Sequence, residues 1–302
     1  MSATAPAPLP LPGDIRSCFT GPVNGLQMHY LEAGWEPAGQ PVVLLLHGFP
    51  ELAFSWRKVM PMLAAAGYRV IAPDQRGYGR TTGWDARYNG DLASFRFQNL
   101  IRDLLGLLSR LDISKVHAVV GHDFGSPLAG LCALIRPDVF PGVALSSAPF
   151  GAPPALAAVK GLDDGDGLNP VARLAPHLAA LERPRKHYHD YYSTPQANDD
   201  MLHCAQGVRD FLRAYFHHKS ADWPDNKPHP LRGWTAGELA KLPTYYVMDE
   251  ARDMAETVAE YMPDAAAVAA CEWLSDDELA VYAAEFRRTG FQGGLQWYRC
   301  RL

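Results

Sequence analysis

The stretch Val116–Ser126 (V-H-A-V-V-G-H-D-F-G-S) holds the most chemically pointed pattern in the chain, with Asp123 set between Gly121 and Gly125. A valine-rich apolar run precedes it. An apolar segment through Leu128, Leu131, Ala133 and Ile135 follows. Strand, tight glycine-flanked turn and helix form the setting in which a strained residue points its side chain into a cleft. Serine is the usual occupant, and here it is a carboxylate. An ordinary Asp titrates near ~4, so Asp123 needs no base to become a nucleophile. Such a nucleophile suits attack at a saturated carbon bearing a leaving group, and gives an ester that a fixed oxyanion hole can help to hydrolyse. The other reading of the same five residues is a turn in which Asp123 only caps the next helix.

A second pattern, His47-Gly48-Phe49-Pro50-Glu51, follows the buried-strand run Pro41–Leu46. In an open α/β sheet, ligands bind beyond the carboxyl ends of the strands. The backbone N–H groups of Phe49 and of Phe124, the residue after the nucleophile, are the candidate oxyanion donors. His47, Gly48, Pro50, Gly121, His122 and Gly125 shape the turns around them. A cis-proline turn with no catalytic part is the alternative for the first motif.

The elements that must position these residues are legible from periodicity. Residues 16–34 read as two short strands about a Val23-Asn24-Gly25 turn. Trp56–Ala66 carries helical spacing, Tyr68–Pro73 a strand, and Phe97–Leu111 an amphipathic helix. Another strand is expected at Gly142–Ser147. Alternating strands and helices predict an α/β domain with a mostly parallel sheet covered on both faces. After residue 150 the strand-like runs give way to alanine- and aromatic-rich helical patterns, read as an inserted helical cap. Within it Ser275-Asp276-Asp277-Glu278 is a capping box opening a helix that Gly290 closes. The division expected is a flexible N-terminal arm over 1–14, a core over 15–150, and over 151–302 the cap and the start of a return to the core.

Composition limits the function classes. A net charge of −5 offers a nucleic acid no electrostatic footing. Five cysteines, odd in number and without C-x-x-C pairs, suggest neither a disulfide framework nor a zinc site. No run approaches the ~18 apolar residues of a membrane span. The Pro/Ala-rich start lacks the basic and apolar regions of a signal peptide, so a cytoplasmic setting is expected. The pairs His187/His189 and His217/His218 lack a completing Cys or acid, and are read as solvated cap histidines rather than metal ligands. Neither metal nor cofactor is expected.

With H-G-F-P, D-Q-R-G-Y-G (Asp74–Gly79), G-H-D-F-G-S and the late G-F-Q-G-G-L-Q-W-Y-R in view, the chain resembles the epoxide hydrolases of the α/β-hydrolase fold. The resemblance runs from about Ser17 to Leu302. It implies Asp123 as nucleophile, a small apolar epoxide and water as substrates, and a vicinal diol as product. It also implies Tyr298, next to Trp297, as a cap tyrosine that donates a proton, with Tyr188 as its partner. Chemistry agrees, since ring opening makes an alkoxide and phenols titrating near ~10 can supply protons while staying neutral at pH 7. In the same comparison Asp74 belongs to a structural turn.

The sequence departs from the family at its end. Family members continue past W-Y-R into strands and helices carrying an acid and a water-activating histidine. No substitute is identified among the 11 histidines of this chain. A truncated product with C-terminal strands missing, alkylated by its substrate but not turning over, is the expectation. Two other outcomes share the Asp nucleophile or the pocket. One is a haloalkane or haloacid dehalogenase, which Phe124 opposes because a tryptophan usually stands there to hold the halide. The other is a non-catalytic ligand-binding descendant.

Overall fold

The computed structural model describes residues 6–151 and 172–300. The first five residues of the expected arm, residues 152–171 at the start of the expected cap, and the last two residues lie outside the described residues. The chain divides into two compact units. The first holds 6–86 and 93–151 of the described residues, the second 87–92 and 172–300.

Six strands build the first unit: β1 (Ile15–Val23), β2 (Leu26–Ala33), β3 (Val42–Leu46), β4 (Arg69–Pro73), β5 (Ala118–His122) and β6 (Val143–Ser146), in spatial order β1-β2-β4-β3-β5-β6. The β1–β2 and β2–β4 pairs are antiparallel, and the other three pairs are parallel. Asn24 (φ 46°) and Gly25 (φ 81°) supply the left-handed pair that a tight β1–β2 hairpin requires. The V-V-L-L-L run of β3 is buried at every position, as expected of a strand covered on both faces. The chain steps from β3 out to β4 and then crosses to β5 on the other side of β3. In open α/β sheets such a reversal is where ligands bind, beyond the carboxyl ends of the strands. Registers Leu46↔Gly121 and His122↔Ser146 bring the ends of β3, β5 and β6 level. His47 and Asp123 therefore leave the same edge of the sheet. β6 has a strand partner on one side among the described residues, and Val143 and Leu145 on it are exposed.

Among the described residues, three α-helices belong to this unit: α1 (Met60–Ala65), α2 (Phe97–Arg110) and α3 (Gly125–Ile135). The helix expected over Trp56–Ala66 is split into a 3-10 turn, Ala53–Lys58, and α1. Pro61 sits in the first turn of α1, where its missing N–H costs nothing but where a continuous helix cannot run through it. α2 buries Leu100, Ile101, Leu104, Leu107 and Leu108 along one face. It also anchors the loop after β4. Arg76 donates from Nε and Nη2 to the two oxygens of Asp103 (2.8 and 2.7 Å), and Asn24 donates to the same carboxylate at 2.6 Å. Paired and fully hydrogen-bonded, this buried charge couple is the kind that is costly to break from one side.

The second unit is mainly helical, with α4 (Tyr188–Tyr192), α5 (Gly207–Lys219), α6 (Asp276–Thr289) and α7 (Gln292–Arg299) as the elements used below. It also contains a two-stranded antiparallel ribbon that periodicity did not suggest, β7 (Arg185–His187) with β8 (Val247–Asp249). Three-residue strands are too short to show a period of two. Ser275 caps α6 as the sequence implies. Its Oγ accepts Glu278 N–H while Glu278 reaches back to Ser275 N–H, and Gly290 (φ 68°) ends the helix. Such a cap contributes about 1 kcal/mol. The segment Arg87–Leu92 is held within this unit: Arg299 stacks 3.6 Å above the Tyr88 ring, and Tyr88 donates to Ser193 O at 2.9 Å.

Candidate active site

In the first unit the turn between β5 and α3 holds Asp123 at φ 51°, a left-handed conformation rare for a residue with a side chain. Three interactions define the conformation. Asp123 N–H donates to Ser146 O (3.2 Å), Ser126 N–H donates to Asp123 O (3.0 Å), and Phe49 N–H donates to Asp123 Oδ1 (3.0 Å). Gly121 and Gly125 are required by contact rather than by torsion, since a Cβ on Gly121 would strike the Gly125 carbonyl. A Cβ on Gly48 would likewise overlap the Asp123 side chain. Asp123 is half-buried, and Phe124 after it is buried with its ring 6.4 Å from that of Phe97.

His47 is fully buried and is a structural post. Its Nε2 accepts Gln75 N–H (3.2 Å), so Nδ1 carries the proton and donates to Gly48 O (2.9 Å). Burial lowers its pKa against the raising influence of Asp74, which keeps the ring neutral. Gln75 returns a bond from Nε2 to His47 O (2.6 Å), so the loop after β4 braces the loop after β3. The Phe49–Pro50 peptide is cis.

Glu51 is the residue that the sequence reading quoted but left without a role. Its Oε2 accepts both Gly48 N–H and His122 Nδ1–H, each at 2.8 Å. Burial pushes its pKa up, but the hydrogen bond and charge of His122 outweigh this, and the carboxyl sits below its ordinary range. The two turns on either side of Asp123 are therefore tied by one carboxylate. A signal for it existed in its place directly after Pro50.

The second unit gathers the tyrosines. The rings of Tyr188 and Tyr298 lie 5.8 Å apart at 75°, and Tyr192 packs on both at 5.6 and 4.9 Å. His189 stands 5.4 Å from Tyr298, and Tyr246 stands 5.4 Å from Tyr188. Tyr188 N–H donates to Tyr246 O (2.9 Å), which fixes the start of α4. Tyr298 and Trp297 are buried on α7, and Tyr188 is half-buried. Tyr192, fully buried, has its pKa driven upward by burial and donates to Tyr215 OH (3.3 Å). Tyr192 and Tyr246 were not singled out in the sequence, where aromatic residues in a helical segment look like ordinary core, and His189 was read only as a solvated histidine.

Two of the four histidines read as solvated, His187 and His218, are buried, while His189 and His217 are partly exposed. His187 is buried, accepts His189 N–H at Nδ1, and has its pKa lowered to about 4 by burial. His218 is fully buried, stacked on Tyr261 at 3.4 Å, with its pKa lowered to about 3 by burial first and His217 second. Tyr245 and Tyr261, contributed from later in the sequence, exclude from His218 the water that exposure on its helix would have allowed. No cluster of metal-ligating side chains occurs among the described residues, and no helix among them is long and apolar enough to cross a membrane.

Residues 41–228 match the model of the alpha/beta hydrolase fold family. The chain is 35% identical over 284 residues to epoxide hydrolase A of Mycobacterium tuberculosis, covering 91% of this chain and 71% of that protein. It is 32% identical to an epoxide hydrolase of Caballeronia sordidicola, covering 95% and 73%. Among solved structures it is similar to an epoxide hydrolase from an endophytic Streptomyces (TM-score 0.68, 27% identity, 95% of this chain and 72% of that one). It is also similar to potato epoxide hydrolase I (TM-score 0.64, 31% identity, 95% and 74%).

Proposed function

Because the chain belongs to the α/β-hydrolase-fold family of epoxide hydrolases, we propose that Asp123 opens a small apolar epoxide by nucleophilic attack, forming an alkyl ester on its own carboxylate. The observation that carries this reading is the set of Asp123: left-handed backbone at a strand–helix turn, half-buried carboxylate, and Phe49 N–H on Oδ1 at 3.0 Å. That N–H orients the carboxylate before attack and becomes an oxyanion donor when the ester carbonyl is later attacked by water. Phe124 N–H, at the start of α3, is proposed as the second donor.

Attack forms the Oδ–carbon bond and breaks the carbon–oxygen bond of the ring. The oxygen leaves as an alkoxide, and Tyr188 and Tyr298 are proposed to donate to it as it forms. Their close pairing on α4 and α7 supports this role, because two phenols delivered to one spot share the developing charge. His47, Gly48, Pro50, Gly121, His122 and Gly125 are proposed to hold the nucleophile's surroundings, and Trp297 to seat Tyr298. Water then attacks the ester and releases the diol. We propose a reducing, cytoplasmic setting, which the odd number and scattered spacing of the five cysteines favour.

The dehalogenase alternative shares Asp123 but is disfavoured at position 124, where a buried phenylalanine offers a halide no N–H from its ring. A single-turnover reaction in ¹⁸O-water tests the central claim. Label retained on the Asp123 peptide and missing from the first diol supports attack by the carboxylate. Label wholly in the first diol means direct attack by water and ends the proposal. An absence of any reaction with reactive epoxides favours a non-catalytic descendant.

A further inference from the structure

We propose that Ser17, His29 and Asp74 form a second nucleophilic site, a serine–histidine–aspartate relay that takes acyl groups from small activated esters, independent of Asp123. The sequence leaves all three as background: a polar residue on an edge strand, a histidine in a strand, and an acid in a turn. The fold makes them a line. Ser17 Oγ lies 2.8 Å from His29 Nε2, and His29 Nδ1 lies 2.7 Å from Asp74 Oδ2.

The proton positions follow from the partners. Asp74 is buried, and burial alone would raise its pKa. In the acid range where a carboxyl titrates, the charge and hydrogen bond of a protonated His29, then His47 and the Arg80 N–H, outweigh this and hold it at about 2. Its Oδ1 accepts Ala53 N–H (2.9 Å) and its Oδ2 accepts Arg80 N–H (2.9 Å), so the carboxylate is an acceptor throughout. His29 must therefore keep its proton on Nδ1. Nε2 is then the acceptor, and Ser17 donates to it. This is the arrangement a general base needs before it removes a serine proton.

Accessibility is distributed as a reactive site requires. His29 is fully buried and its ring is fixed between Phe19 (5.0 Å) and the Asp74 bond, while Ser17 is exposed on β1. β1 is the outermost strand of the sheet, so alternate N–H groups along it face away from β2 and can meet a developing oxyanion. Phe19, two residues on and 51% exposed, gives an apolar footing beside the serine for an acyl or aryl group. In the reaction, Oγ bonds to the ester carbonyl carbon and the serine proton passes to Nε2. The alkoxy leaving group departs with that proton. Water then attacks the acyl-serine, its proton passing through Nε2 back to Oγ as the acid leaves.

Asp74 is a positioning residue here, acting through His29. The test uses the full chain and its Ser17→Ala variant, an exposed change that leaves the hairpin's backbone pairing in place. Both are treated with an alkyl fluorophosphonate, which forms an Oγ–phosphorus bond with loss of fluoride. The expected result is an adduct on the peptide containing Ser17. In parallel, p-nitrophenyl acetate hydrolysis should fall by about 10²-fold in Ser17→Ala, the scale of one base-assisted step. Proton NMR reads the relay itself. The deshielded Nδ1–H resonance of His29 should shift when Ser17 carries the phosphonyl group, which a His–Asp pair serving only as a brace would not show. An adduct confined to other residues, equal hydrolysis by both proteins, or an unmoved resonance in a Ser17-modified sample overturns the proposal.

Discussion

The backbone N–H of Phe49 donates to Oδ1 of Asp123 at 3.0 Å across 74 residues of sequence. It joins the loop after β3 to the turn after β5, so the carboxylate is aimed before any substrate arrives. Preorganisation of this sort is what makes a fixed donor worth more than a water molecule in the same place.

Replacing Asp123 with Asn removes the charge while keeping the shape and the Phe49 contact. Alkylation by a reactive epoxide should fall by about 10⁶-fold, the scale seen when a covalent nucleophile is removed. Intact mass spectrometry after incubation reads this directly. An adduct on the same peptide at the parent rate would exclude Asp123 as nucleophile.

Gly48→Ala is a steric test of the same arrangement. The added Cβ would overlap the Asp123 side chain, and a displacement of about 1 Å in a reacting group costs on the order of 10²-fold. Alkylation should slow accordingly while circular dichroism stays that of the parent. Parent-rate alkylation would mean that the Asp123 carboxylate does not need its observed position.

Tyr298→Phe and Tyr188→Phe each delete one hydroxyl and leave the ring cluster in place. Single-turnover ring opening should slow by about 10²–10³ for the more important donor. The double variant should be slower than either. If both single variants and the double variant open the ring at the parent rate, the protons come from elsewhere.

Asp74 sets an acid-dependent contribution to stability. Its folded-state pKa, about 2, lies below the ordinary 3.8, so protonation opposes folding. The stabilisation is complete above pH ~4 and disappears as pH falls toward ~2, and a shift of this size contributes roughly 2 kcal/mol at neutral pH. Urea unfolding of the parent and of Asp74→Asn should differ most near pH 7 and converge toward pH 2. A difference that stays constant over that range would mean the charge is not what stabilises the loop.

Reaction with an epoxide should add its mass to the peptide containing Asp123. His122, whose ring Glu51 holds at 2.8 Å, stands next to that carboxylate in sequence and is the group to test for a part in releasing the diol. Glu51→Gln would then slow ester hydrolysis and leave alkylation largely intact. Persistent adduct in the parent and in Glu51→Gln alike would confirm that the pair serves only to brace the turns.

The parallel strands of the core were legible because buried strands write themselves as runs such as V-V-L-L-L, and the turn at Gly121-x-Asp123-x-Gly125 because it follows such a run and precedes an apolar helix. Tyr188 and Tyr298 were legible only through likeness of motif, and the structure puts their rings within 6 Å of each other. The ribbon of β7 and β8 was not legible, because strands of three residues carry no period. Nor was the burial of His187, which lies in that ribbon, or of His218, which is packed against Tyr245 and Tyr261 from later in the chain. Glu51 was visible but silent, since a carboxylate beside a motif says nothing until the histidine it meets, 71 residues away, is placed.

The Arg87–Leu92 segment, lying in sequence between two parts of the first unit, is built into the second by the Arg299–Tyr88 stack and by Tyr88's bond to Ser193 O. The second unit is thus not a cassette that can be lifted out at one pair of junctions. A chimaera that transplants only the residues after 152 would leave behind the backbone carbonyls to which Gln296 and Arg299 donate, on the very helix that carries Tyr298. Exchange of this unit between relatives, by recombination or by design, has to move the short segment as well. Substrate preference, if it resides there, is heritable only as two pieces together.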